Sequence, residues 1–244
     1  MPLRSKLRRA FEYLEHIELV RARMRGVRVD FVAELLALRD RFRLSPRTVI
    51  DAGANHGDYT RAVRFVHPDA SVLLFEPIPA LADALRREFE PQGCRVFPYA
   101  LAERSGTREF FQTQTDDLSS LLPPTQDLAR MISDGGEATR ASKIPIEVRR
   151  LDEVVDLAKA ARPVLFKLDV QGAELAALTG SSGILNFVDC IQLEFNFTRM
   201  YEGQTELREL LDFTSARGFS RFLQVDPHVH EARVSSCDFL FFRD

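Results

Sequence analysis

The stretch over residues 48–60, TVIDAGANHGDYT, constrains the fold of this chain more than any other. It begins with three β-branched residues, as a buried strand does, and the apolar run ends at Asp51. Gly53 and Gly57 then allow a tight turn, which opens onto a predicted helix beginning at Asp58. A strand, a glycine turn and a helix N-terminus in this order predict the cofactor-binding edge of an α/β protein with a parallel sheet.

The spacing within this turn discriminates between cofactors. Dinucleotide-binding turns read G-x-G-x-x-G, whereas this one reads Asp51-x-Gly53-x-x-x-Gly57, with a carboxylate that disfavours a pyrophosphate and suits a cationic ligand. Glu76 follows a second apolar run, residues 72–75, and is placed to accept hydrogen bonds from ribose hydroxyls. Together these features predict S-adenosylmethionine (SAM), with a nicotinamide-dependent oxidoreductase and an ordinary strand-to-helix turn as the alternatives.

Two further acidic residues follow predicted strands later in the chain. Asp169 ends the apolar run of residues 164–168, and Glu194 lies near the end of the run of residues 190–195. Because the carboxyl ends of parallel strands meet at one edge of a sheet, both carboxylates are expected beside Asp51 and Glu76. Such a group can act as a general base, with Asp169 the first candidate and Glu194 the second.

Other roles for polar residues near this edge stay open at this point. A divalent metal held by Asp169 and Glu194 is an alternative, but without a third clear ligand no metal is assigned. His228 and His230 are the alternative bases, in a turn-rich segment, DPHVHEA. Glu174 is expected to cap the helix of residues 172–178.

The N-terminal residues differ in charge from the rest. Residues 1–50 carry twelve Lys and Arg against six Asp and Glu, so the net charge of −3 leaves −9 on the remainder, which argues against a general nucleic-acid binder. Helical spacing predicts an amphipathic basic helix near residues 3–17 and a second helix over residues 30–43. We expect residues 1–45 to form an arm that packs across the sheet or makes a homodimer contact; an anionic substrate or membrane-surface contact is the alternative.

A long polar segment, residues 113–143, separates two predicted strands, residues 107–112 and 146–150. A connection of this length inside a compact domain is commonly functional, and this one is expected to rise from the cofactor edge. Residues 107–148 are therefore an insertion and a candidate substrate lid within a domain of residues 46–244, with a surface excursion of no chemical role as the alternative.

The spacing of the cysteines and the hydropathy of the chain indicate the cellular compartment in which the protein is expected. The three cysteines lie far apart, which favours small buried side chains over a disulfide framework or zinc site. No apolar run approaches membrane-spanning length, so a cytoplasmic protein is expected.

Near the C-terminus, residues 219–225 and 236–243 read as strands whose connection is too short for a crossover helix, which predicts an antiparallel pair.

Several motifs together resemble the FkbM family of SAM-dependent methyltransferases over residues 47–243. They are VIDAGANHGDYT, FEPIPA, YALAERSG, LSSLL, VRRLDEVV, KLDVQGAELAALTG and IQLEFNF, in the order and at the spacing of that family. His56 stands where a hydrophobic residue is more usual. The resemblance implies a class I fold, a doubly wound, seven-stranded, mostly parallel sheet with an antiparallel C-terminal strand.

The resemblance also implies a function and a set of site residues. It implies SAM as methyl donor and O-methylation of a small-molecule or glycan acceptor such as a sugar or polyketide. A non-catalytic module that binds SAM or a partner is the alternative. The expected cofactor-binding residues are Asp51, Gly53, Ala54, Asn55, Gly57, Tyr59, Thr60, Glu76, Pro77, Ala100, Leu101 and Asp169.

Overall fold

The computed structural model describes residues 17–113, 116–128, 142–230 and 233–244. Seven strands form the main sheet in the order β3-β2-β1-β7-β8-β10-β9, and three form a small second sheet in the order β4-β6-β5. The strands are β1 (Thr48–Ala52), β2 (Ser71–Phe75), β3 (Arg95–Phe97), β4 (Ala100–Leu101), β5 (Gly106–Gln112), β6 (Ser142–Arg149), β7 (Val164–Leu168), β8 (Cys190–Asn196), β9 (Arg221–His230) and β10 (Arg233–Phe242).

Helices cover both faces of the main sheet. A helical segment over residues 17–24 comes first. It is followed by α1 (Val29–Arg41), α2 (Asp58–Val66), α3 (Pro79–Phe89), α4 (Leu151–Val154), α5 (Glu174–Thr179) and α6 (Leu207–Ser215). Because helices lie on both sides, the central strands β1 and β7 are buried at every position, and their side chains are apolar except for Thr48, Asp51 and Lys167.

The sheet is parallel except for one strand. β1 pairs in parallel with β2 on one side and with β7 on the other, and β10 runs antiparallel to both β8 and β9. This confirms the predicted doubly wound class I fold with an antiparallel C-terminal strand. Strand order reverses at β1, and in open α/β sheets ligands bind at the carboxyl ends of the strands at such a point.

Helix α1 belongs to the core. Leu35 and Leu38 are fully buried and pack with Val49 of β1 and Val63 of α2. This is the packing across the sheet predicted for this helix. The domain boundary predicted at residue 45 thus falls between elements that share one core. The predicted basic helix of residues 3–17 lies almost wholly outside the described residues, so a dimer contact through it stays a prediction.

The structure adds detail to one sequence-based expectation and differs from two. The predicted added strands of residues 107–112 and 146–150 correspond to β5 and β6, which pair with each other in the small sheet, and β6 begins earlier, at Ser142. The segment DPHVHEA is not a turn over most of its length, because β9 continues to His230. Asp51 does not end β1: it lies inside the strand and is fully buried.

Other expectations concern cysteines and membranes. Cys94, Cys190 and Cys237 are buried and free, as predicted. Within the described ranges, no helix combines the length and apolar character needed to cross a bilayer.

Candidate cofactor and acceptor site

The glycine turn after β1 lies against the end of β7. Gly53 has φ +76°, and a Cβ built on it would lie 1.8 Å from the carbonyl oxygen of Asp169. Gly57 has φ +83°, and its Cβ would lie 2.5 Å from the Phe89 ring. Both positions combine a left-handed backbone with a close approach, so only glycine fits without movement of the neighbouring chain.

Glu76 is held at the carboxyl end of β2, beside this turn. Its side chain is buried, and its two carboxylate oxygens accept hydrogen bonds from the backbone N–H of Asn55 and of Ile78, each at 2.8 Å. The backbone of Asn55 is left-handed, with φ +46°. Its side-chain Oδ1 is buried and has no hydrogen-bond partner among the described residues. The turn therefore offers one fixed carboxylate and one unsatisfied acceptor.

A cavity opens between β2 and the small sheet, and we call it the β2 cavity. The space between its walls, including the part open to solvent at its mouth, is about 620 Å³. Its walls combine apolar side chains, which suit a flat base, with acceptors that suit hydroxyls. Seven of the predicted cofactor-binding residues line it: Gly53, Asn55, Glu76, Pro77, Ala100, Leu101 and Asp169.

Two of the predicted cofactor-binding residues lie behind the wall of this cavity. Asp51 is fully buried; its Oδ2 accepts a hydrogen bond of 2.7 Å from the hydroxyl of Thr60, which is also fully buried. Its Oδ1 lies 3.3 Å from Lys167 Nζ. Asp51 therefore forms an ion pair with a lysine of the protein itself. Its position in the glycine motif did not predict this pair.

Lys167 was missed by the sequence reasoning. Its ammonium group lies 3.3 Å from Asp51, 3.5 Å from Asp169 Oδ2 and 3.3 Å from the carbonyl oxygen of Gly53. Burial by itself lowers the pKa of Lys167, but the two carboxylates raise it by more, so the group is charged. A lysine inside a buried strand, two residues before Asp169, was the available signal, since such a residue needs an acidic partner on the same face.

A second opening, which we call the α1 cleft, lies on the other side of Asp169. It is bounded by α1, β7, β8 and β10, and its walls include Glu34, Tyr59, Asp169, Glu194 and Asp238. The Tyr59 hydroxyl donates to Gln192 Oε1, and Gln192 Nε2 donates to Glu34 Oε2, each at 2.7 Å. Burial, and after it the nearby Glu34 and Glu194 carboxylates, raise the pKa of Asp238 well above the usual range of an aspartate.

Asp169 lies where the two openings meet. It lines both the β2 cavity and the α1 cleft, as do Gln171 and the exposed Asp117. The amide of Gln171 donates to Asp169 Oδ1 at 2.8 Å and to Glu194 Oε2 at 3.4 Å. The two residues predicted as catalytic are thus brought together by a third, which sequence reasoning did not single out.

The segment of residues 116–122 covers part of the β2 cavity. Asp117, Ser119 and Leu121 line it, and the Ser120 hydroxyl donates to the carbonyl oxygen of Gln171 at 2.7 Å. This is the described part of the predicted lid, of which residues 114–115 and 129–141 lie outside the description. A lid function stays a prediction.

The remaining predicted residues occupy different places. Ala54 and Tyr59 border a space beside the glycine turn that His56 also lines, and Gly57 packs on α3. Glu174 is buried and accepts a hydrogen bond from the Gly172 N–H at 2.9 Å, and burial raises its pKa to about 7. The side chains of His228 and His230 lie outside the description.

The arrangement of acidic side chains and the lining of the β2 cavity indicate which ligands the described residues can hold. No group of three or more His, Cys, Asp or Glu side chains is arranged there to hold a metal ion. The β2 cavity, with the Glu76 carboxylate, the unsatisfied Asn55 oxygen and apolar walls, fits an adenosyl group carrying ribose hydroxyls.

Comparison with known proteins places this chain among methyltransferases. A family model described as the methyltransferase FkbM domain matches residues 51–221. The 2-O-methyltransferase NoeI of Sinorhizobium fredii (strain NBRC 101917 / NGR234) is 31% identical over 175 residues, covering 67% of this chain and 69% of NoeI. Methyltransferase sdnD of Sordaria araneosa is 28% identical over 153 residues, covering 54% of this chain and 59% of sdnD.

Solved structures show weaker similarity. The O-methyltransferase TomG from Streptomyces achromogenes, solved in complex with SAM, aligns with a TM-score of 0.46 at 9% identity, covering 88% of this chain and 80% of TomG.

The sheet topology, the site and the family match define a SAM-dependent methyltransferase. The chain belongs to the FkbM methyltransferase family.

Proposed function

We propose that this protein transfers the methyl group of SAM to a hydroxyl oxygen of a small-molecule or glycan acceptor, such as a sugar, polyketide or other natural product. The observation that carries the proposal is the position of Asp169, which lines both the β2 cavity and the α1 cleft. A donor held in the first and an acceptor held in the second meet at this carboxylate. The name of the relative NoeI, a 2-O-methyltransferase, supports oxygen as the methylated atom.

The division of labour follows from the two openings. Bound SAM would supply an electrophilic methyl carbon, whose bond to the sulfonium sulfur breaks as the acceptor oxygen takes the methyl group, so that S-adenosylhomocysteine leaves. Glu76 and Asn55 hold the donor in the β2 cavity, and the polar walls of the α1 cleft orient the acceptor, which places the reacting atoms together. Asp169 takes the hydroxyl proton as the carbon–oxygen bond forms, and Glu194 is the second candidate for that role.

Turnover with defined acceptors tests this proposal. Purified full-length protein is incubated with SAM and a panel of methyl pyranosides, a linear polyol and a macrolide, and release of S-adenosylhomocysteine is measured. We expect turnover with at least one hydroxylated compound. Tight SAM binding without any turnover across the panel would instead favour the non-catalytic SAM-binding module.

A pair of variants tests the base. Asp169→Asn should lower kcat by about 100-fold or more, since general base catalysis contributes about 10²–10⁴-fold. Its affinity for SAM should change by less than about tenfold, because Glu76 and the glycine turn are intact. Asp69→Asn, at an exposed carboxylate in the turn after α2, is the control and should keep full activity. A fully active Asp169→Asn enzyme would remove Asp169 as the base.

A further inference from the structure

Gln171 has a backbone conformation that side-chain-bearing residues disfavour. Its φ is +54°, in the left-handed region where glycine is the usual occupant. Backbone strain of this kind persists where the surrounding structure determines it, and it concentrates at functional sites. The position therefore carries a side chain where glycine would be the unstrained choice.

The contacts of this side chain show what the glutamine does. Its Nε2 donates to Asp169 Oδ1 at 2.8 Å and to Glu194 Oε2 at 3.4 Å. Its Oε1 accepts a hydrogen bond of 2.9 Å from the hydroxyl of Tyr201, a residue that is only 1% exposed. Since carboxylates accept and a phenol here donates, these partners select one orientation of the amide.

The backbone of Gln171 adds a link to the segment over the β2 cavity. Its carbonyl oxygen accepts from Ser120 Oγ at 2.7 Å, and the Tyr201 hydroxyl also contacts the carbonyl oxygen of Leu118, at 3.1 Å. One residue thus joins the two candidate catalytic carboxylates to the segment that lines the donor side of the site.

We infer that Gln171 is a positioning residue, which holds the Asp169 carboxylate in the orientation needed at the meeting point of the two openings. The inference rests on the proposed function, because it assigns the base role to Asp169. Gln171 does not take the proton itself: an amide is neither a base nor an acid at neutral pH. It acts through the two carboxylates it bridges.

The variant Gln171→Gly tests this inference, because it relieves the strained backbone while removing the amide. We expect a thermal midpoint equal to or above that of the wild type, a kcat lower by about 10–100-fold, and KM for SAM within about threefold. The substrate is the member of the hydroxylated panel with the highest wild-type turnover. A residue with only a structural role would lower the thermal midpoint and leave kcat near the wild-type value.

Arg43→Gly is the matched control. Arg43 also has φ +54° but is exposed and lies away from both openings, so this change relieves the same strain without touching the carboxylates. Its kcat should equal that of the wild type. Tyr201→Phe is a second variant that keeps the fold and removes only the hydroxyl that orients the amide, and we expect a smaller loss of kcat, about 3–10-fold.

Three outcomes separate the possibilities. Lowered kcat in Gln171→Gly and Tyr201→Phe, with Arg43→Gly unchanged, supports the positioning role. Wild-type kcat in Gln171→Gly, in the same assay where Asp169→Asn is inactive, overturns it and leaves the proposed function intact. A fully active Asp169→Asn variant would exclude Asp169 as the base. It would contradict the proposed role of Asp169 and the inference about Gln171 together.

Discussion

Lys167 Nζ lies 3.3 Å from Asp51 Oδ1, and the two side chains are 8% and 0% exposed. The residues face each other in register on the paired central strands β7 and β1. The negative charge of Asp51 is therefore compensated by a lysine of the protein itself. The acidic residue of the glycine motif contributes to the site through this lysine, which also contacts Asp169 and the carbonyl oxygen of Gly53.

Replacing Lys167 by methionine leaves the Asp51 carboxylate buried without a cation. We expect the free energy of unfolding to fall by about 3–5 kcal/mol, the usual cost of removing one partner of a buried ion pair, measured by urea denaturation. Lys143→Met is the control: its pair with Glu109 is exposed, and its loss should cost less than about 1 kcal/mol. Equal losses in the two variants would contradict a structural role for the buried pair.

Gly53→Ala should weaken SAM binding at least tenfold in a calorimetric titration. The added Cβ would lie 1.8 Å from the carbonyl oxygen of Asp169, so the turn or the end of β7 has to move. Gly26→Ala is the matched control, because Gly26 has a similar φ of +70° with no atom within 4 Å of the added Cβ. That variant should lose about 1 kcal/mol of stability and no SAM affinity. An unchanged affinity of Gly53→Ala for SAM would show that the glycine turn does not contact the cofactor.

Glu76→Gln should also weaken SAM binding at least tenfold. Both carboxylate oxygens accept backbone N–H groups, so one face of the new amide would meet the N–H of Asn55 or Ile78 and lose a hydrogen bond. The negative charge that we propose accepts hydrogen bonds from the ribose hydroxyls is lost with it. Glu88→Gln, on the exposed side of α3, removes a surface ion pair with Arg61 and is expected to bind SAM like the wild type. A Glu76→Gln protein with the same affinity would exclude this carboxylate from the cofactor contacts.

Burial of Glu174 predicts a pH-dependent component of stability. Its pKa is raised from 4.5 to about 7 in the folded state, so the folded protein holds a proton that the unfolded chain releases between these values. The stability linked to this carboxyl is full below about pH 4.5, declines as the pH rises and is lost above about pH 7, a change of about 3 kcal/mol.

Glu174→Gln removes this titration and should show a smaller decline of unfolding free energy between pH 4.5 and 7 than the wild type. Denaturant unfolding at several pH values measures the difference. Glu202→Gln, at an exposed glutamate, should follow the wild-type curve. Parallel curves for the wild type and Glu174→Gln would show that the buried carboxyl does not titrate in this range.

The elements nearest the site were predictable from local pattern. Helix α2 begins at Asp58 as predicted, because Asp58 follows a left-handed glycine, and Pro68 lies just beyond the end of this helix. Pro79 occupies the first position of α3. β7 was bounded in the same way, by Pro163 before it and Asp169 after it. In these places a few neighbouring residues decide the backbone, and no distant contact overrides them.

The pairings between distant residues were not predictable in this way. Gln171 joins Asp169 to Glu194, and its partner Tyr201 lies 30 residues further on. The extra strands of residues 107–112 and 146–150 have the alternation of ordinary strands, and nothing in their own sequence shows that they pair with each other away from the main sheet. Such choices depend on which surfaces meet once the sheet has formed.

The sequence by itself determined the wound α/β fold, the family and the edge of the sheet where Asp51, Glu76, Asp169 and Glu194 lie, because motif order and apolar runs are local properties. Tertiary structure decided which of these carboxylates line the two openings. Lys167 neutralises Asp51 behind the cavity wall, and Asp169 is left at the junction of the two openings. The reason is that charge compensation and burial depend on distances in space. Strand register and packing determine these distances, and the spacing of residues along the chain does not.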